Sequence, residues 1–315
     1  MLHSPGSIII DFGELFNLNR SLPLRWYGLL TGLGFLAAFL VINSRASRPF
    51  KKDSEQIISE KKESWQITEI QKQNLFDLLF ICFIGGIIGA RLWYVILSWN
   101  YFAHNTNEIL QIWQGGQSIQ GGIFGGFVSA LLVYQFKKSQ NKLSDLPPFK
   151  NLADLIALGL PIGQAIGRWG NFFNNEAFGK PTQLPWAQFI PPEFRPEKYL
   201  GYTSFHPTFL YESIYMLLVF FFLLSLHQSI TYQDKQKLNV LGLQLNLPFK
   251  ISTGSLFPIY LILYSIGRFF LEFIRLDSLL IGSFPAAQII CVFMIIVSIG
   301  ILVFTNCREI PSRSA

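Results

Sequence analysis

Seven stretches of this chain are apolar enough and long enough to cross a lipid bilayer: 26–43, 75–97, 118–136, 152–170, 207–227, 255–274 and 284–305. A span needs about 20 mainly apolar residues. In hydrocarbon every backbone N–H and C=O must be satisfied within the protein, and a helix does this segment by segment. Composition agrees: 50% of residues are hydrophobic and 14% charged, against about 25% charged in an ordinary soluble domain. A disordered chain is excluded and a soluble enzyme disfavoured. The expected fold is all-α: one polytopic membrane domain over residues 1–315 with seven transmembrane helices.

The charges between the runs set the orientation. Arg45, Arg48, Lys51, Lys52, Lys61, Lys62 and Lys72 follow the first run, and Lys137, Lys138, Lys142 and Lys150 follow the third. Lys235, Lys237 and Lys250 follow the fifth, and Arg308 and Arg313 the seventh. The alternate loops hold only Arg20 and Arg25, then none, then Lys180, Arg195 and Lys198, then Arg275. Basic loops stay in the cytoplasm. The N-terminus is therefore expected outside and the C-terminus in the cytoplasm. The formal net charge of +6 reads as topology, and no nucleic-acid partner is expected.

Two connections are long. Residues 44–74 are polar, with Ile57, Ile58, Trp65, Ile67 and Ile70 spaced through them, and read as a cytoplasmic helix on the bilayer surface. Residues 171–206 are rich in Pro, aromatics and Asn and read as an ordered outward-facing cap. The spacings Gly85–Gly89, Gly121–Gly125, Gly122–Gly126 and Gly159–Gly163–Gly167 are those of close helix crossings. The three cysteines, Cys82, Cys291 and Cys307, show no CxxC spacing, and the four histidines form no HExxH. Neither a disulfide framework nor a zinc site is expected.

A charge at the bilayer centre costs about 2.5–3.5 kcal/mol on insertion scales. Arg91, Arg168, Arg268 and Glu272 sit within or at the ends of runs. Snorkelling could account for Arg168, and an i,i+4 ion pair for Arg268 with Glu272. Three arginines near one leaflet read better as a shared pocket. Tyr264, Arg268, Glu272 and Arg275 fall on one helical stripe, so Glu272 can hold Arg268 while its fork stays open to an anion. Guanidinium suits phosphate because it offers paired donors in a plane and stays charged. The stretch GRWGNFFNNEAFG (167–179) adds three asparagines and Glu176. A helix stop explains one Asn and one Gly there, but not the whole set.

These segments, with LRWYG (24–28), GARLWYV (89–95), the glycine pairs of 115–122, HPTFLYE (206–212) and YSIGRFFLEFIR (264–275), resemble the prolipoprotein diacylglyceryl transferases in family order. The resemblance runs from about Leu24 to about Leu276. It implies a bacterial inner-membrane enzyme whose site faces the periplasm. Such an enzyme moves the diacylglyceryl group of phosphatidylglycerol to the lipobox cysteine of a prolipoprotein, releasing glycerol phosphate without a cofactor. It also implies site roles for Tyr27, Arg168, Asn171, Glu176, Gly179, Tyr264 and Arg268. Arg168 and Arg268 would hold the phosphate, and Asn171 and Glu176 would orient the lipid or an arginine. Arg91 would contact the lipid or support the site, and Glu272, Arg275 and His206 would support it. Gln120 departs from the pattern, standing where the family often has His. Glutamine accepts no proton at neutral pH, so its expected role is to position the lipid headgroup.

Overall fold

The computed structural model describes residues 1–11, 15, 23–46, 67–231, 237–240, 243–246 and 252–307. Seven long helices account for most of these: α1 (Trp26–Ala46), α2 (Glu69–Leu97), α3 (Ile119–Ser139), α4 (Phe149–Asn174), α5 (Thr208–Thr231), α6 (Leu256–Glu272) and α7 (Ala286–Cys307). Each falls on one of the seven apolar runs. α1, α2, α3, α5 and α7 are long and apolar enough to cross a membrane. α6 has 17 residues, and α4 carries Lys150, Asp154 and Arg168 among its apolar residues. The chain is thus mostly helical, with the character of a multi-pass membrane protein.

The chain divides into two compact units. One holds α2 and α3 with the short antiparallel pair Ile8–Asp11 and Pro23–Arg25. α2 starts earlier than the apolar run because Thr68 and Gln71 form a reciprocal capping box. Ile70 and Lys72 therefore belong to α2 rather than to a separate surface helix. Residues 44–46 of that expected helix belong to α1, and 47–66 lie outside the described residues, as do Arg20, Lys235, Lys250, Arg308 and Arg313. α2 and α3 meet backbone to backbone: a Cβ on Gly89 would lie 2.7 Å from Gly125 Cα.

The other unit holds α1 and α4 to α7. α1 crosses α4 at another glycine contact, where a Cβ on Gly34 would come within 2.8 Å of the Gly163 carbonyl oxygen. Gly167, the third member of that spacing, faces open space. Ala157, Leu158 and Ala165 of α4, Met216, Val219, Leu223 and Leu226 of α5, and Leu256 and Tyr260 of α6 form the core. After α4 ends at Asn174, residues 175–206 run as packed, mostly irregular chain. Gln188–Phe189 pairs antiparallel with Ser204–Phe205, and Phe178, Ile190 and Phe205 bury together beneath it.

α6 has an unusual start. Its N-cap residue, Ser255, makes no side-chain capping bond. Asp154, fully buried on α4, caps it instead. Its carboxylate accepts from the backbone N–H groups of Gly254 at 2.6 Å, Leu256 at 2.9 Å and Phe257 at 3.2 Å. Orphan donors at a helix start attract a carboxylate for both hydrogen-bonding and dipole reasons.

Candidate active site

The site is built at the C-terminal ends of α4 and α6 and the start of α5, all in one unit. Arg168 leaves the last turns of α4. Its Nε lies 2.5 Å from Glu212 Oε2 on α5, and its NH1 donates to Asn171 Oδ1 at 3.4 Å. Asn171 in turn donates to Glu176 Oε1 at 2.9 Å, and Asn174 donates to the same oxygen at 3.2 Å. Arg168 is thus gripped on one edge, while its NH2 has no partner among the described residues. The chain then turns sharply. Asn175 takes φ 52° and ends the helix, and Ala177 takes φ 57°, where a side chain is strained. The Thr208 hydroxyl holds Ala177 by donating to its carbonyl.

Arg268 on α6 has the same design. Its NH2 lies 2.7 Å from Glu272 Oε2, one turn on. The contact is an ion pair by distance, since no hydrogen-bond donor is aimed at that oxygen. Arg268 NH1 is buried and has no hydrogen-bond partner among the described residues. A guanidinium held by a carboxylate with a buried N–H left over is a ready anion donor. Tyr260, one turn before Tyr264, lies in the electrostatic fields of both Tyr264 and Arg168. The Tyr260 hydroxyl donates to Gln164 Oε1 at 3.1 Å, one turn before Arg168, so α4 and α6 meet here. Tyr27, at the start of α1, lies in the fields of Glu176 and Arg168. Its ring fits because residue 170 is glycine: a Cβ there would lie 2.7 Å from the ring.

Arg275 is committed elsewhere. It makes two bonds to Asp277, at 2.9 and 2.6 Å, and its NH1 lies 3.5 Å from Glu212 Oε1. Burial works against its charge, but Asp277, Glu212 and Glu272 outweigh this and raise its pKa above the usual value. Gly179 lets three segments meet. Its N–H donates to the His206 carbonyl, and it bridges to Arg275. A Cβ there would lie 2.8 Å from both His206 Cβ and Ile274 Cγ2. His206 shares a hydrogen bond with the Tyr211 hydroxyl at 3.1 Å, and burial pushes its imidazole pKa down.

A family model described as prolipoprotein diacylglyceryl transferase matches residues 14–304. The chain belongs to this family. Relatives named phosphatidylglycerol–prolipoprotein diacylglyceryl transferase include one from a Nostoc species, 37% identical over 98% of this chain and 92% of its own length. One from Thermotoga maritima is 38% identical over 92% of this chain and 84% of its own. One from Acaryochloris marina is 38% identical over 93% and 89%. The chain is therefore a transferase of lipoprotein biosynthesis.

The remaining two positions expected in a diacylglyceryl transferase site, Arg91 and Gln120, lie in the α2–α3 unit. Arg91 donates to the carbonyls of Ile109 at 2.8 Å, Glu108 at 2.6 Å, Gly115 at 2.6 Å and Gly116 at 3.0 Å. A guanidinium has five N–H donors, so nearly all of this one clasps the 108–116 loop. Gln120, exposed at the start of α3, accepts from the Ser118 hydroxyl at 2.7 Å through Oε1. Its amide N–H groups remain for an outside acceptor.

Sequence reasoning passed over Glu212 and Asp154. Both are charges inside apolar runs, the same signal that picked out the arginines.

Proposed function

We propose that this transferase moves the sn-1,2-diacylglyceryl group of phosphatidylglycerol to the thiol of a prolipoprotein lipobox cysteine. The observation that carries the reading is the paired arginine arrangement. Arg168 and Arg268 are each fixed by a carboxylate, and each keeps N–H donors open.

The thiolate sulfur attacks the glycerol carbon that bears the phosphate. A C–S bond forms, the C–O bond breaks, and glycerol phosphate leaves with the electron pair. The phosphodiester carries one negative charge and gains more as it leaves. Guanidiniums fixed at that point stabilise the transition state more than the bound lipid. A cysteine thiol has a pKa of about 8.5, and nearby arginines lower it. The thiol proton passes to solvent or to the departing phosphate. Asn171 and Glu176 keep Arg168 aimed, and Tyr27 and Tyr264 shape the wall. Gln120 keeps a neutral donor available to lipid, and Arg91 holds the loop before it.

The seven helices are read as spans of one membrane domain, with the N-terminus outside and the C-terminus in the cytoplasm of a bacterium. The site faces the outer side of the inner membrane, and no cofactor enters the reaction. The test uses purified protein, phosphatidylglycerol and a lipobox peptide with one cysteine. A diacylglyceryl mass gain with equal release of glycerol phosphate is expected. No product, beside an active relative as control, overturns the reading.

A further inference from the structure

A cavity of about 840 Å³ opens beside the last turn of α6, between α6, the 280–285 hairpin and the first turns of α7. Phe269, Phe273, Phe284, Ile289 and Val292 form apolar walls. Its polar members are Lys180, Glu272, Arg275, Ser283 and Gln288. Gln288 is already committed, donating to the Phe269 carbonyl at 3.3 Å. Glu272 is matched by Arg268, and Arg275 by Asp277 and Glu212. Lys180 is different. It is exposed, and its ammonium has no partner among the described residues.

Its backbone, in contrast, is pinned. The Lys180 N–H donates to the Ile274 carbonyl at 2.8 Å, and its own carbonyl accepts from His206 N–H at 3.0 Å. The rim therefore carries a lysine with a pinned backbone and an ammonium without a partner among the described residues, above an apolar trough, with Glu272 and Arg275 shared between trough and site. That order, cation at the rim and hydrocarbon below, matches an anionic phospholipid: phosphate first, acyl chains after. A free phosphate would use the cation but gain nothing from the phenylalanines.

We infer that this groove is the acyl-chain seat of the donor lipid, with Lys180 holding its phosphate at the threshold of the arginine pair. The inference rests on the reading of the site as a phospholipid-dependent transferase. It assigns to Lys180 a role separate from leaving-group stabilisation, that of selecting anionic lipid.

The experiment omits the acceptor peptide. Full-length protein is placed in vesicles with phosphatidylglycerol carrying a photoreactive group in one acyl chain. Phosphatidylcholine with the same chain serves in parallel. Adducts are expected within 269–292, favouring phosphatidylglycerol by about fivefold, the worth of one lysine facing an anionic surface. Lys180→Gln should remove that preference and Lys180→Arg should keep it. Val292→Trp, at a half-exposed position that lines the groove, should suppress adducts from both lipids and raise KM for phosphatidylglycerol.

Equal labelling by both lipids, or adducts outside the groove, overturns the assignment. So does loss of labelling in excess glycerol phosphate, which would make Lys180 a free-phosphate site. Labelling of the groove by a photoreactive acceptor peptide in place of lipid overturns it as well. Groove labelling as expected, in protein that transfers to no acceptor, would instead overturn the proposed reaction and leave the groove assigned.

Discussion

The Glu212 carboxylate lies 2.5 Å from Nε of Arg168. This contact fixes which edge of the guanidinium is free. Glu212 is buried, and its other oxygen faces Arg275 at 3.5 Å, so the carboxylate ties the end of α4 to the end of α6. Glu212→Gln keeps the shape but removes the charge that orients Arg168. Losing one partner of a buried, hydrogen-bonded charge pair costs about 2–5 kcal/mol. The expected result is a fall in kcat of at least about tenfold, with smaller change in KM. Steady-state transfer to a lipobox peptide measures both.

Arg168 and Arg268 should resist even conservative change. Lysine keeps the charge but loses the planar fork, so it cannot hold both a carboxylate and a phosphate. Arg168→Lys and Arg268→Lys should each lose about 10²–10³ in kcat, the usual cost of one transition-state donor. The alanine variants should have no turnover while still inserting in the membrane. Normal turnover in any of the four would sink the phosphate clamp.

Asp154 should act through stability. Its removal leaves the three backbone donors at the start of α6 without their acceptor, and an unsatisfied buried group costs about 1–3 kcal/mol. Asp154→Ala should lower the unfolding temperature in detergent. Asp154→Asn keeps one acceptor oxygen and should fall between it and the natural protein. Equal unfolding temperatures for all three would show that the cap contributes nothing.

Gln120→His is the informative change in the α2–α3 unit. If position 120 supplies only a polar contact to the headgroup, the variant should transfer at the natural rate. Its pH profile should also be unaltered between pH 6 and 8, about where imidazole titrates. A new titration with a higher rate would show that a base at this position does help.

The helices were legible because each apolar run is long, and length is the strongest sequence signal for a span. The Tyr264–Arg268–Glu272–Arg275 stripe was legible from helical spacing, and the structure shows the Arg268–Glu272 pair it implied. The start of α2 was not, because Thr68 and Gln71 extend it into a polar stretch by capping rather than by hydrophobicity. Glu212 and Asp154 carry the signal of a charge inside an apolar run, but nothing local assigns them a role. Their partners come from other helices, at separations that no local window spans. Arg91 shows the reverse limit. Its position inside an apolar run marks it as a costly charge, but only the fold reveals that its donors meet carbonyls of the 108–116 loop.

The contact between α2 and α3 bears on how this chain tolerates change. Around Gly89 and Gly125 the neighbouring surfaces are main chain, so no side chain is there to trim when a larger residue arrives. In a saturation scan these positions will score as intolerant as the arginines. Their intolerance will report the distance between two backbones and nothing about the reaction.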